Sequence, residues 1–250
     1  MQGRVGLPQI AGRIERRLLV NYRVEPEAIA RVLPEPFRPR LVGDAAIAGI
    51  CLIRLGDMRP VHLPRWMGRR SENAAHRVAV EWDTPAGPLT GVYIPRRDSD
   101  SWINIALGGG IYPGEHHRAR FQVEETDQHV RVAYVARDGS AHVDVSVHRT
   151  EQLSGSRLFA DVTEASAFFE AGSVGYSATR RPGRFDGLGL KTAAWRVEPA
   201  VVGHAHSSFF EDPATFPAGT AELDSALLMR SVPVVWEPLA TLHSEADPAA

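Results

Sequence analysis

Cysteine and lysine are nearly absent from this chain. Of its 250 residues one is cysteine, Cys51, and one is lysine, Lys191, although Lys and Arg together number 28. A single cysteine excludes an intramolecular disulfide, and its place in an apolar run marks a buried, inert thiol suited to a reducing compartment. A single lysine leaves, besides the N-terminus, one amine able to form a Schiff base. Long apolar runs are missing too: the longest covers residues 45–53, far short of the ~20 that a membrane helix needs. The N-terminal residues carry no apolar segment of the secretory type. A net charge of −2 offers no basic field for nucleic acid. These absences predict a cytoplasmic protein with neither nucleic acid nor membrane as partner, and leave homo-oligomerisation open.

Signatures of cofactor and metal chemistry are also missing. No HExxH, CxxC or GxSxG pattern occurs. Gly187-Leu188-Gly189-Leu190-Lys191-Thr192 looks like a phosphate loop but has leucine directly before the lysine and a strand-like run after it. Gly108-Gly109-Gly110 lacks the spacing of a dinucleotide fingerprint. His142, Asp144, Ser146 and His148 share one face of a strand by period two, as do His204, His206 and Ser208, but ligands strung along one strand diverge. No cofactor and no metal are expected.

What the chain does contain is alternation. Residues 14–24, 76–83, 89–94 and 232–236 read as strands, and 45–55 as a strand covered on both faces. Ala119, Phe121 and Val123, then Val130, Val132 and Tyr134, then Val143, Val145 and Val147 form an antiparallel meander, its last turn at Arg137-Asp138-Gly139-Ser140. Short helices are expected after Pro26, around Trp102, and through Phe168 and Phe169 with Thr163 as cap and Gly172 as stop. Residues 56–70 and 183–189 read as loops, and residues 221–230 have helix-forming composition. Strands outnumber helices without a regular βα alternation, so the fold class is mainly β: a large antiparallel barrel or sandwich with a few short helices. The expected organisation is a single domain over residues 1–243 and a loose tail over 244–250.

The chemistry-bearing stretch is Gly108 to Arg120, where glycines and a Tyr112-Pro113-Gly114 turn lead into Glu115-His116-His117-Arg118. Imidazole titrates near neutral pH, so Glu115 and His116 are candidate acid/base groups, weighed against an exposed polar turn. Glu72 and Arg77 flank the start of another strand. They could orient an anionic substrate or form an ordinary surface ion pair.

Five segments carry a resemblance: residues 26–34, Ser71-Glu72-Asn73, Gly91-Val92-Tyr93, Ile111-Tyr112-Pro113 and Ser225-Ala226-Leu227-Leu228-Met229-Arg230. Their order resembles that of the uncharacterised YqjF-like bacterial proteins, a family similar in fold to acetoacetate decarboxylase. The resemblance implies a large antiparallel, barrel-like β sheet around a central cavity. It also implies that His116 and His117 stand near the lysine positions of the decarboxylase, and Glu72 near its glutamate. On that footing the cavity is expected to hold Glu72, His116 and Glu115 as acid/base groups, with Arg77, Arg118, Tyr93 and Tyr112 as substrate-binding groups. It would act on or bind a small carbonyl- or carboxylate-bearing molecule. Imidazole forms no stable imine with a ketone, so Schiff-base decarboxylation is not expected unless Lys191 reaches the cavity. The rival expectation is a non-catalytic binding or sensing protein.

Overall fold

The computed structural model describes residues 8–106 and 113–244. Strand β1 (Ile10–Val24) leads into helix α1 (Pro26–Ala30), where Pro26 opens the first turn and gives up only an N–H that has no helical partner. The small strands β2 (Arg38–Pro39) and β3 (Leu41–Val42) precede the long β4 (Ala45–Pro60). A 3-10 turn at Arg65–Met67 connects it to β5 (Arg69–Trp82), and β6 (Leu89–Ser99) returns alongside. Helix α2 (Trp102–Ala106) is followed by the meander β7 (His116–Glu125), β8 (His129–Ala136) and β9 (His142–Arg149). Helix α3 (Val162–Ala171) then precedes β10 (Val174–Ala178), β11 (Arg184–Lys191), β12 (Glu198–Ser207), β13 (Ala221–Pro238) and β14 (Leu242–His243).

All 14 strands belong to one sheet. Pairing runs β6–β7–β8–β9–β12–β13–β1–β4–β5 and returns to β6, closing a circuit. A smaller circuit closes through β10 and β11, which bridge β6 to β13. Strands β13, β1, β4, β5 and β6 belong to both and form a shared wall. The sheet is mixed, because β6 runs parallel to both β7 and β10 while the other pairings are antiparallel.

A wall with a compartment on each side must be apolar on both faces, which is why residues 45–52 form a continuous hydrophobic run. One face sends Leu18, Val20, Ile50, Leu52 and Val78 into the larger circuit, against Val132, Tyr134, Val143 and Val145. The other presents Leu19, Ile47, Cys51 and Ala79 to Phe159 and to Ala165 and Phe169 of α3.

The same logic corrects two sequence expectations. Residues 221–230 are strand, not helix: in β13, Ala226 and Leu228 face one core while Leu227 and Met229 face the others. A strand buried on both faces resembles a helix in composition, and tertiary packing overrides propensity. Residues 184–191 are strand rather than glycine-rich loop. A Cβ at Gly187 would lie 2.5 Å from the Tyr176 ring, so glycine there permits close packing, not flexibility. Strand also extends further than expected on both sides of the 56–70 segment. The cap of α3 is Asp161, whose carboxylate accepts from the Thr163 and Glu164 N–H groups; Gly172 does end the helix. At the other end of the described chain, Ser244 is buried and its N–H donates to Gly183.

Candidate functional site

The shared wall and the smaller circuit enclose a cavity of about 160 Å³. Arg17 of β1, Cys51, Ile53 and Leu55 of β4, Asn73, Ala75 and Arg77 of β5, and Val92, Ile94 and Arg97 of β6 line it from the wall. Ser173, Gly175, Leu188, Leu190 and Trp236 close the opposite side. His116 lines it from the start of β7.

Arg77 is buried, its Nη2 donating to Asn21 Oδ1 at 2.8 Å and its guanidinium lying 4.8 Å from the Phe169 ring centre. Arg17 Nε donates to Cys51 Sγ at 3.3 Å, while its Nη1 is buried without a partner among the described residues. Arg97 Nη2 reaches Ser177 Oγ at 3.4 Å, and its Nε is likewise buried without a partner among the described residues. None of the three forms an ion pair with a described carboxylate. The acidic residue at the cavity, Asp98, is held instead by both Nε and Nη2 of Arg96 at 2.8 Å and by the Tyr134 hydroxyl at 3.3 Å. Burial pushes Arg77 down to about 9, with Arg17 nearby adding to the effect, and pushes Arg97 down to about 10. A guanidinium keeps its proton in proteins. The depression therefore expresses buried positive charge without compensation, the condition that favours an incoming anion.

His116 is the register partner of Arg97 across the parallel β6–β7 pair. Its Nδ1 lies 3.3 Å from the Gly114 carbonyl, which can only accept, so Nδ1 carries the proton and Nε2 is the basic nitrogen. Gly114 has φ +86°, and a Cβ there would stand 2.6 Å from Ser177, so the turn that presents His116 requires glycine. Burial, reinforced by the Arg97 charge, pushes the imidazole down to about 4. It is neutral at pH 7. A polar network flanks this end: Ser99 Oγ donates to Asn73 Oδ1 at 2.7 Å, and Asn104 Nδ2 donates to the same oxygen at 3.1 Å and to Ser71 Oγ at 3.3 Å.

Among the residues singled out from the sequence, the fold brings Arg77 and His116 together. Glu72 is elsewhere. It ion-pairs with Arg16 at 2.6 Å and with Arg54, and these two arginines also hold Glu125, at 3.3 and 3.0 Å. Tyr93 packs in the aromatic core, 5.4 Å from Phe37 between ring centres, and burial raises its phenol pKa. Glu115 and Arg118 are exposed. Tyr112 and the glycine triplet lie outside the described residues. Lys191 follows the cavity-lining Leu190 and therefore points outward. Its side chain is 69% exposed and its amine pairs with Glu237. Arg17 and Arg97 were not anticipated. The available signal was an arginine on the inner face of a strand otherwise bearing apolar groups.

The family model described as an uncharacterized conserved protein, DUF2071, matches residues 12–228. The chain belongs to this family. Among solved structures, acetoacetate decarboxylase from Legionella pneumophila is similar with TM-score 0.62 at 11% identity, over 98% of this chain and 90% of that one. An acetoacetate decarboxylase-like enzyme from Sphingomonas wittichii RW1 gives 0.58 at 10%, over 95% and 92%. The enduracididine biosynthesis enzyme MppR, complexed with pyruvate, gives 0.55 at 13%, over 93% and 90%. No curated protein matches the sequence. At these identities the likeness establishes the fold, which is that of acetoacetate decarboxylase, as the motif order implied.

Proposed function

We propose that this DUF2071 protein binds a small carboxylate-bearing carbonyl compound in the cavity, gripped by Arg17, Arg77 and Arg97, and that proton transfer to or from it is carried by His116 rather than by an imine-forming lysine. The observation that carries this reading is a set of three guanidiniums lining one cavity, with no ion-pair partner among the described residues. Its size supports the same class, since a cavity of ~150 Å³ holds a molecule about as large as benzene. The names of the structural relatives point the same way: acetoacetate and pyruvate are both small carboxylates carrying a carbonyl. Imine chemistry is set aside because Lys191 Nζ pairs with Glu237 on the outer side of β11.

Catalysis in this scheme places the substrate carbonyl beside a guanidinium, which stabilises developing enolate charge, while neutral His116 exchanges the adjacent proton through Nε2. One observation favours binding without turnover as a second reading: Glu72 is committed to Arg16 and Arg54, which leaves His116 as the candidate proton carrier in the cavity. Incubating the protein with a panel of 2- and 3-oxo acids in D2O, followed by NMR and paired with thermal shifts, separates the two. Hydrogen exchange or decarboxylation that is lost in His116→Gln supports catalysis. A thermal shift without either reaction supports a binding protein, and no shift with any oxo acid removes the proposal.

A further inference from the structure

We infer that the ligand is a dicarboxylate, one carboxylate held between Arg17 and Arg77 and the other by Arg97, with its carbon chain lying over Cys51 and Ala75. This deepens the carboxylate reading above and rests on it.

Charge is the first argument. Arg17, Arg77 and Arg97 line one small space, and none is paired with a described carboxylate. One carboxylate compensates one guanidinium in a bidentate pair, so a monoanion would leave most of the buried charge exposed to its own repulsion.

Placement is the second. Cys51 of β4, Ala75 of β5 and Arg97 of β6 form one cross-strand row, and Arg17 of β1 is the partner of Ile53, one inward-facing position along β4 from Cys51. Adjacent strands are ~4.8 Å apart, so the backbones of Arg17 and Arg97 stand about three strand spacings apart, with small or apolar side chains between them. Arg77, two residues from Ala75 on the side away from the Arg17 row, is level with Gly49 and Asn21, and its Nη2 donates to Asn21 Oδ1 of β1 at 2.8 Å, so its guanidinium lies on the β1 side, away from β6 and His116. The cavity therefore has a cationic group at each end and a neutral floor. Among the described residues, Arg17 Nη1 and Arg97 Nε are the buried cavity donors that lack acceptors, one at either end. An acid of about four carbons suits a space close to the ~150 Å³ that accommodates benzene.

Calorimetric titration of the full-length protein at pH 7 with succinate, butyrate and inorganic phosphate tests the inference without depending on any reaction. Succinate should bind at least about tenfold more tightly than butyrate, and Arg97→Gln should abolish that preference, so that the two ligands bind the variant about equally. Butyrate binding as tightly as succinate overturns the inference, as does phosphate matching succinate, because a compact dianion needs only one end. A preference for succinate that persists in Arg97→Gln overturns the assignment of the second carboxylate. If butyrate binds and succinate does not, the dicarboxylate falls and the carboxylate cavity stands; if none of the three binds, both fall. The comparison of ligands on the unmodified protein holds even if the variant folds poorly.

Discussion

Glu72 and Arg77 lie on the same strand, an odd number of residues apart, and project from opposite faces of the shared wall: Arg77 lines the cavity, and Glu72 binds Arg16 and Arg54 on the other side. The two were natural partners for an anion site on paper. Period two forbids it. Glu72 instead neutralises Arg16, which is 1% exposed, in a network that ties β1, β4, β5 and β7 together.

The first prediction follows directly. Glu72→Ala leaves the buried Arg16 with only its longer contact to Glu125 and should destabilise the protein by a part of the ~3–5 kcal/mol that a fully stranded charge costs, read as a lowered urea midpoint, while carboxylate affinity measured on the folded fraction stays within about twofold. An intact midpoint combined with lost binding would put Glu72 back into the cavity's chemistry.

Much of the fold was legible because strand alternation is a local signal. The meander of β7 to β9 and the doubly covered run in β4 follow from side-chain period alone. Where packing rather than pattern decides, the reading failed. Gly187 looks like loop punctuation until the Tyr176 ring is found against it, and residues 221–230 look helical until both faces of β13 are seen to be buried. The site was half legible for a related reason. His116 and Arg77 drew notice as titratable or charged groups near turns and strand starts. Arg17 and Arg97 matter only because β1 and β6 are brought to the same wall through β4 and β5, a long-range pairing that no window of sequence contains.

Buried charge kept for a ligand weakens the empty protein. Arg97→Met keeps an unbranched stem of similar length to the arginine's and removes the guanidinium, which has no ion-pair partner among the described residues. It should therefore raise the ligand-free melting temperature, or leave it unchanged, while carboxylate affinity falls by about tenfold or more. A variant that melts well below the parent would show that Arg97 is structural.

Anion binding must also move His116. In the free protein its pKa is about 4, and a carboxylate bound beside it favours the imidazolium, so the bound pKa is higher than the free one. Binding should then take up a fraction of a proton between pH 4 and neutrality, and affinity should strengthen as pH falls from 7 toward 5, until the ligand's own carboxylates begin to protonate. Calorimetry in buffers of different ionisation enthalpy measures this uptake, and His116→Gln should abolish it. No uptake in the parent protein places the bound anion away from His116.

A second histidine governs acid stability. His76 is fully buried against Phe209 and Phe210, both ring nitrogens lack partners among the described residues, and burial, with the Arg96 charge adding to it, pushes its pKa down to about 3. The folded pKa lies below the unfolded value of 6.5. Below pH 6.5 the unfolded chain takes the proton and the folded one does not, so stability falls as pH drops through the window down to about 3, with a slope approaching 1.4 kcal/mol per pH unit from this group. His76→Phe should flatten that slope. It should also be neutral or stabilising at pH 7, because it removes buried polar atoms that have no partners. An unchanged slope would mean that carboxylate protonation elsewhere dominates acid unfolding.

Cys51 gives the cavity a built-in reporter. It is the only thiol in the chain, it lines the cavity, and its sulfur accepts a hydrogen bond from Arg17 Nε at 3.3 Å. Reagent can reach it from inside the cavity, since the wall covers it elsewhere and its residue exposure is only 7%. A ligand spanning Arg17 and Arg97 passes over this sulfur, so saturating carboxylate should slow alkylation by iodoacetamide in proportion to occupancy. The concentration giving half protection should equal the calorimetric Kd. A neutral amide of the same length should give no protection, because nothing in the cavity would hold it against the guanidiniums. Labelling that proceeds at the same rate with and without a bound carboxylate would place the ligand outside this cavity, whatever its affinity.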